Sequence, residues 1–279
     1  MASASPTSVV TASDPLIAAR VRIAALSLLP LAGLSEAVFS RHHMQDDGVS
    51  YLDMGDAMLR GDWKTAVNGH WSPLYPWLQG TALKLFRPGA YSQFSVVHLV
   101  NFLIFLFALA CFDFLLRTAV ANRSGSANSD ARTSWLPEWA VFAVGFSVFA
   151  WSNLSLITLG AVNPDALMAA FLYLAAALML RVWARPQRFR GFILLGAALG
   201  LGYLAKAPMF PIALVMFAMV LILSRNWKQA APRVLAGLLV FLAVSTPWVA
   251  ALSRAKGLLT FGDSARFNYL LYLDGAGPS

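Results

Sequence analysis

Charge and sulfur are what this chain has least of. Charged residues make up 12% and hydrophobic residues 58%, against roughly 25% and 45–50% in soluble globular domains. That balance excludes a water-soluble fold and points to a polytopic membrane protein. The one cysteine, Cys111, sits in an apolar run. A single thiol excludes an intramolecular disulfide and a thiolate metal site, and it leaves the redox compartment unread. No repeat of fixed period is present, which removes solenoid and barrel architectures. The formal net charge is +8, but the arginines are scattered between apolar blocks instead of forming a stripe. They report orientation in a membrane and give no support to a nucleic-acid partner.

Apolar runs near 20 residues define membrane spans. Residues 1–19 are small, polar and proline-containing, as in a disordered cytoplasmic tail. Spans are expected at 23–39, 94–116, 138–157, 166–182 and 234–252. The block 191–224 would be about 50 Å long as one helix, too long for a hydrocarbon core of ~30 Å. Lys206 and Pro208 near its middle turn it into a hairpin of two short helices, so the fold class is all-α, a bundle of about seven spans occupying 20–252. The first span leads into an external loop, 40–93. Within that loop 47–59 reads as a short helix stopped by Gly61, with an apolar face resting on the membrane. The segment 73–86, interrupted by Pro76, Gly80 and Lys84, reads as an interfacial helix. A Ser/Asn/Gly-rich linker covers 121–137, and 253–279 forms a tail on the same side as the loop, leading towards further spans. Arginines gather in alternate gaps, which places the N-terminus in the cytoplasm and the acidic loop outside.

Five of the thirteen carboxylates fall between Asp46 and Asp62, where water or a lined cavity must solvate them. Asp46 and Asp47 are adjacent, so each disfavours ionisation of the other, which suits a general base or a shared cation. The alternative is a helix N-cap. Asp165, after Asn163 and Pro164, reads either as a helix start or as a second acid facing the same compartment. Lys206 in its hairpin turn requires a carboxylate, a phosphate or headgroup water. Arg254, Lys256 and Arg266 lie on the side that should be poor in basic residues, which suggests a bound anion. His42, His43 and His70 could join Asp46 around a metal. Neighbouring histidines do not readily aim both rings at one ion, so no metal ligands are assigned and a divalent metal stays open.

Four motifs in order resemble the GT-C superfamily of membrane glycosyltransferases, which includes protein mannosyltransferases and the lipid A aminoarabinose transferases. They are Asp46-Asp47 with Tyr51 and Met58-Leu59-Arg60-Gly61-Asp62-Trp63; Ser72-Pro73-Leu74-Tyr75-Pro76; Asn163-Pro164-Asp165-Ala166-Leu167; and Tyr203-Leu204-Ala205-Lys206-Ala207-Pro208. Together they match the family's amino-terminal portion. The resemblance implies an integral protein of a bacterial inner (plasma) membrane. It implies transfer of a sugar from a polyprenyl-phosphate carrier to a lipid, glycan or protein acceptor on the extracytoplasmic face. Asp47 then stands at the catalytic carboxylate, Asp165 at the second acidic position and Lys206 near the carrier phosphate, with Tyr51, Tyr75 and His70 among the substrate-binding residues. A family lysine before the Pro-Pro-Leu stretch is replaced here by Trp71-Ser72, so His70, Lys64 or Arg254 would supply that contact. Two other readings share these residues: a transporter or lipid-binding scaffold, and an inactive truncated half of such an enzyme. Transporters commonly carry paired broken helices, and only one broken pair is present.

Overall fold

The computed structural model describes residues 15–124, 136–224, 226–264 and 269. Residues 1–14 of the expected tail, most of the linker, and Arg266 with most of the C-terminal tail lie outside that range. Ten α-helices follow one another: α1 Pro15–Phe39, α2 Asp46–Arg60, α3 Trp63–Ala66, α4 Leu74–Phe86, α5 Gln93–Ser124, α6 Glu138–Trp151, α7 Asp165–Ala184, α8 Phe189–Ala205, α9 Met209–Ile222 and α10 Trp227–Lys256. A 3₁₀ turn precedes α5, and a π-helical turn, Ser152–Leu156, extends α6. Five of these segments are long and apolar enough to cross a membrane, and α8 and α9 are shorter apolar helices. The expected hairpin is present, turning at Lys206–Pro208 between α8 and α9.

Several boundaries differ from the apolar runs. The first helix begins at Pro15, so residues 15–19 of the expected tail are helical. Proline at the first helical position loses no hydrogen bond, because that N–H would be unsatisfied anyway. α5 and α10 both continue past their apolar cores. Backbone hydrogen bonding does not stop where hydropathy does, and charged residues in terminal turns reach water.

Helices α1 and α5–α10 alternate in direction. α7 packs parallel to α5, with Phe107 against Phe171 and Arg181 over Phe114. α8 packs parallel to α10, where a Cβ on Gly200 would come within 2.7 Å of Val244 and one on Gly196 would overlap the Gly237 carbonyl. Small residues at such contacts let helix backbones approach closely. α1 is the outlier, burying only Ala18, Gly33 and Ala37. Its polar fastening is Arg22, which donates to both oxygens of Asp113 on α5 at 2.6 and 3.0 Å, while Arg117 donates to the same carboxylate at 2.9 Å.

The alternation sorts charge. At the end holding α2–α4, eight described carboxylates meet eight described Lys and Arg. At the other, Arg20, Arg22, Arg117, Arg123, Arg181, Arg185, Arg188, Arg190, Lys228 and Arg233 meet only Asp113 and Glu138 among the described residues.

Candidate active site

Asp46 and Asp47 are the first two residues of α2, and Gln45 holds the cap position with an extended backbone. This corrects the N-cap alternative: both carboxylates lie inside the first turn, where they favour the helix dipole without occupying the cap. The Gln45 amide instead donates to the Val162 carbonyl at 3.4 Å, tying the start of α2 to the turn before α7. Both aspartates are exposed. The apolar face of α2 does not rest on the membrane. Tyr51, Leu52, Met54 and Ala57 are buried, and Gly55 meets Gly80 of α4, where an added Cβ on Gly80 would stand 2.8 Å from the Gly55 carbonyl oxygen. Pro76 and Gly80, expected to interrupt the second segment, leave α4 continuous: Pro76 lies in its first turn and Gly80 is the point of close approach. Gly61 ends α2 as expected, in the left-handed region at φ 77°.

Aromatic rings form the floor beside Asp47. Tyr51 packs against Trp71 and Tyr75 at ring-centroid distances of 4.6 and 5.2 Å, and Trp71 stands edge-on to His70 at 4.1 Å. Beneath them lies a polar network inside the apolar bundle. The Tyr75 hydroxyl donates to Asn101 Oδ1 at 2.7 Å, and Gln79 donates to both at 3.0 and 3.1 Å. The Asn101 amide then donates to the carbonyls of Leu159 and Ala161 at 3.3 and 3.2 Å. The network joins α4, α5 and the turn that delivers Asp165. In that turn Asn163 Oδ1 accepts the Asp165 backbone N–H at 3.0 Å. Burial raises the Tyr51 phenol pKa, and the charges of Asp47 and Asp165 raise it further, so both carboxylates act on one buried, protonated tyrosine.

The Asp165 side chain forms an ion pair with Lys206, across from it at the α8–α9 turn, and each side chain is 38% exposed. A third wall comes from the segment after α10. The Asp263 N–H donates to the Gly69 carbonyl at 2.6 Å, Lys256 pairs with the Asp263 carboxylate at 2.7 Å, and the Tyr203 hydroxyl donates to the Phe261 carbonyl at 2.9 Å. His70 and Lys256 thus flank the same loop, 67–71. Arg254 is exposed in the last turn of α10. Tyr75 is fully buried with its hydroxyl committed to Asn101, so it reaches this region only through Tyr51.

Asn101, Gln79, Asp113 and Asp263 went unnoticed in the sequence. Their signal was an isolated polar residue in an apolar run or tail, and in a membrane span such a residue seeks a partner. Among the described residues no three His, Cys, Asp or Glu side chains converge as a metal-ligand group.

The fold defines a helical membrane protein, with two exposed aspartates and a partly exposed aspartate–lysine pair at one end of its bundle. Residues 131–250 match the family model of dolichyl-phosphate-mannose-protein mannosyltransferases, which bears out the resemblance read from the motifs and supports a membrane glycosyltransferase. The match includes Asp165 and Lys206, while Asp46, Asp47 and the first loop lie outside it. No curated protein and no solved structure matches the chain.

Proposed function

We propose that the protein transfers a sugar from a polyprenyl-phosphate carrier to an acceptor hydroxyl at the α2–α4 end of the bundle, and that this end is extracytoplasmic. The observation that carries the reading is the partly exposed Asp165–Lys206 pair, set at the same end of the bundle as the exposed Asp47 at the start of α2. Asp47 takes the proton of the acceptor hydroxyl as its oxygen attacks the anomeric carbon. The bond between that carbon and the phosphate oxygen breaks, and its electron pair leaves on the phosphate. Lys206 stabilises that developing charge, and Asp165 holds the ammonium in place when no donor is bound. Attack opposite the leaving group inverts the anomeric centre. Tyr51, packed between Trp71 and Tyr75 and kept protonated by burial, lines the wall beside Asp47 without adding charge. His70, Lys256 and Arg254 stand at the rim, where further phosphate or acceptor oxygens would meet donors. The orientation is supported by the surplus of basic residues at the opposite end.

The test is a transfer assay in proteoliposomes with polyprenyl-phosphate-linked sugars as donors. Wild-type protein should discharge the donor, and Asp47→Asn should be slower by roughly 10²–10⁴-fold, the usual contribution of a positioned general base. Asp47→Asn turnover within a few-fold of wild type would remove Asp47 from the mechanism. A wild-type chain that binds donor without discharging it would favour the scaffold reading.

A further inference from the structure

The end of the bundle away from this site holds two cavities, of which the smaller is the more basic. It encloses about 240 Å³ between the last turns of α5 and α7 and is lined by Arg117, Arg181 and Arg185 over a floor that includes Phe114, Thr118 and Asn122. The three guanidiniums are exposed and converge on one small space, so an anion that enters it meets several donors at once. Asp113 is the only described carboxylate bonded to any of them, and it is shared with Arg22. The helix C-termini of α5 and α7 add roughly half a negative charge each. Among the described residues four guanidiniums therefore face one carboxylate and two partial charges, an excess of about two positive charges. Of the three arginines lining the cavity, two are held in place: Arg117 donates to Asp113 at 2.9 Å, and Arg181 lies 5.0 Å above the Phe114 ring.

The surroundings identify the kind of anion. α5 has 32 residues, which at 1.5 Å each span about 48 Å, well beyond a hydrocarbon core of ~30 Å. Its last turns therefore emerge at headgroup level. Trp183 of α7, 60% exposed, marks the same level on the outer surface. The volume falls below the roughly 300–1,000 Å³ of pockets for whole small molecules. It suits a headgroup whose chains remain in the bilayer.

We propose that this cavity binds the phosphate of an anionic phospholipid, with Arg117, Arg181 and Arg185 as its ligands. Arginine forks match phosphate oxygens two at a time, and basic pockets between transmembrane helices take anionic headgroups in this way. The site is independent of the chemistry at the opposite end.

Native mass spectrometry of the detergent-solubilised protein, titrated with phosphatidylglycerol or phosphatidylcholine, tests the assignment. Wild type should retain phosphatidylglycerol in preference to phosphatidylcholine. Arg181→Gln with Arg185→Gln should weaken that retention by about 25-fold, taking roughly fivefold per lost charge, while the doubly Lys-substituted protein keeps part of it. Arg188→Gln with Arg190→Gln, a basic pair at the same end outside the cavity, should change retention little. Equal losses in the two Gln pairs would mean diffuse charge attraction and overturn the site. So would displacement of the lipid by millimolar inorganic phosphate, which would make the ligand a free anion.

Discussion

Two aspartates of this chain meet cations across helices, and the two arrangements have opposite consequences. Asp113 is 7% exposed, is bound by two arginines and fastens the poorly buried α1 to α5. Asp165 is 38% exposed, has a single lysine partner and lies at an open turn beside a second carboxylate loop. A buried carboxylate that loses its cations pays a desolvation cost with nothing in return, so that pairing is permanent. A half-exposed, one-to-one pair is screened by water and holds weakly, so an incoming phosphate can take its lysine. Burial separates the clasp from the site, although the chemical groups are alike.

The comparison is sharpened first at the clasp. Asp113→Ala leaves Arg22 and Arg117 without their carboxylate. Full burial would make that cost 3–5 kcal/mol, and since both arginines can extend towards water, about 2–3 kcal/mol is expected. Thermal unfolding in detergent measures it, and cysteine cross-linking between α1 and α5 should weaken in parallel.

Next comes the network beneath the site. Asn101→Leu leaves the Tyr75 hydroxyl proton without its acceptor in an apolar interior, although Gln79 still donates to that hydroxyl, and about 1–3 kcal/mol of stability should be lost. Because Asn101 also holds the Leu159 and Ala161 carbonyls, Asp165 should shift as well. Donor turnover should therefore fall more than stability alone explains.

A smaller effect is expected at Lys206. Replacement by Met removes the cation from Asp165 and, under the proposed mechanism, from the carrier phosphate. Donor affinity should drop about tenfold, on the order of one charge-assisted hydrogen bond, whereas Arg should restore part of it. Equal donor affinity in wild type and Lys206→Met would confine Lys206 to a role with Asp165. The smallest effect is at Asp62, whose carboxylate is held below its usual pKa first by the Thr65 side-chain hydroxyl and then by the Thr65 N–H, which it accepts at the start of α3. A depressed folded-state pKa stabilises above the unfolded value and is lost as pH falls through the folded one. Protection of the amides at 63–66, taken relative to intrinsic exchange at each pH, should therefore fall on acidification through the carboxylate range, and Asp62→Ala should abolish that dependence.

The spans were legible because their apolar runs are long, and the α8–α9 turn because Lys206 and Pro208 interrupt a run too long for one crossing. Asp47, Asp165 and Lys206 stood out as charges beside apolar blocks. Their relation did not: Asp165 and Lys206 are 41 residues apart, and nothing local announces a pair. The apolar face of α2 was assigned to lipid although it packs on α4, because hydropathy records that a face avoids water without recording what covers it. Tyr75, Gln79 and Asn101 were hidden for a related reason. One polar residue per helix barely changes a hydropathy window, and the network exists only once three segments meet.

The central claim is that chemistry belongs to the exposed carboxylates and architecture to the buried one. It is tested by measuring donor turnover and thermal stability together in Asp47→Asn and Asp113→Asn. Asp47→Asn should lose turnover by at least 10²-fold with an unchanged unfolding temperature. Asp113→Asn should unfold at a lower temperature while the folded fraction turns over donor within a few-fold of wild type. Normal turnover in Asp47→Asn, with turnover abolished in well-folded Asp113→Asn, would contradict the account.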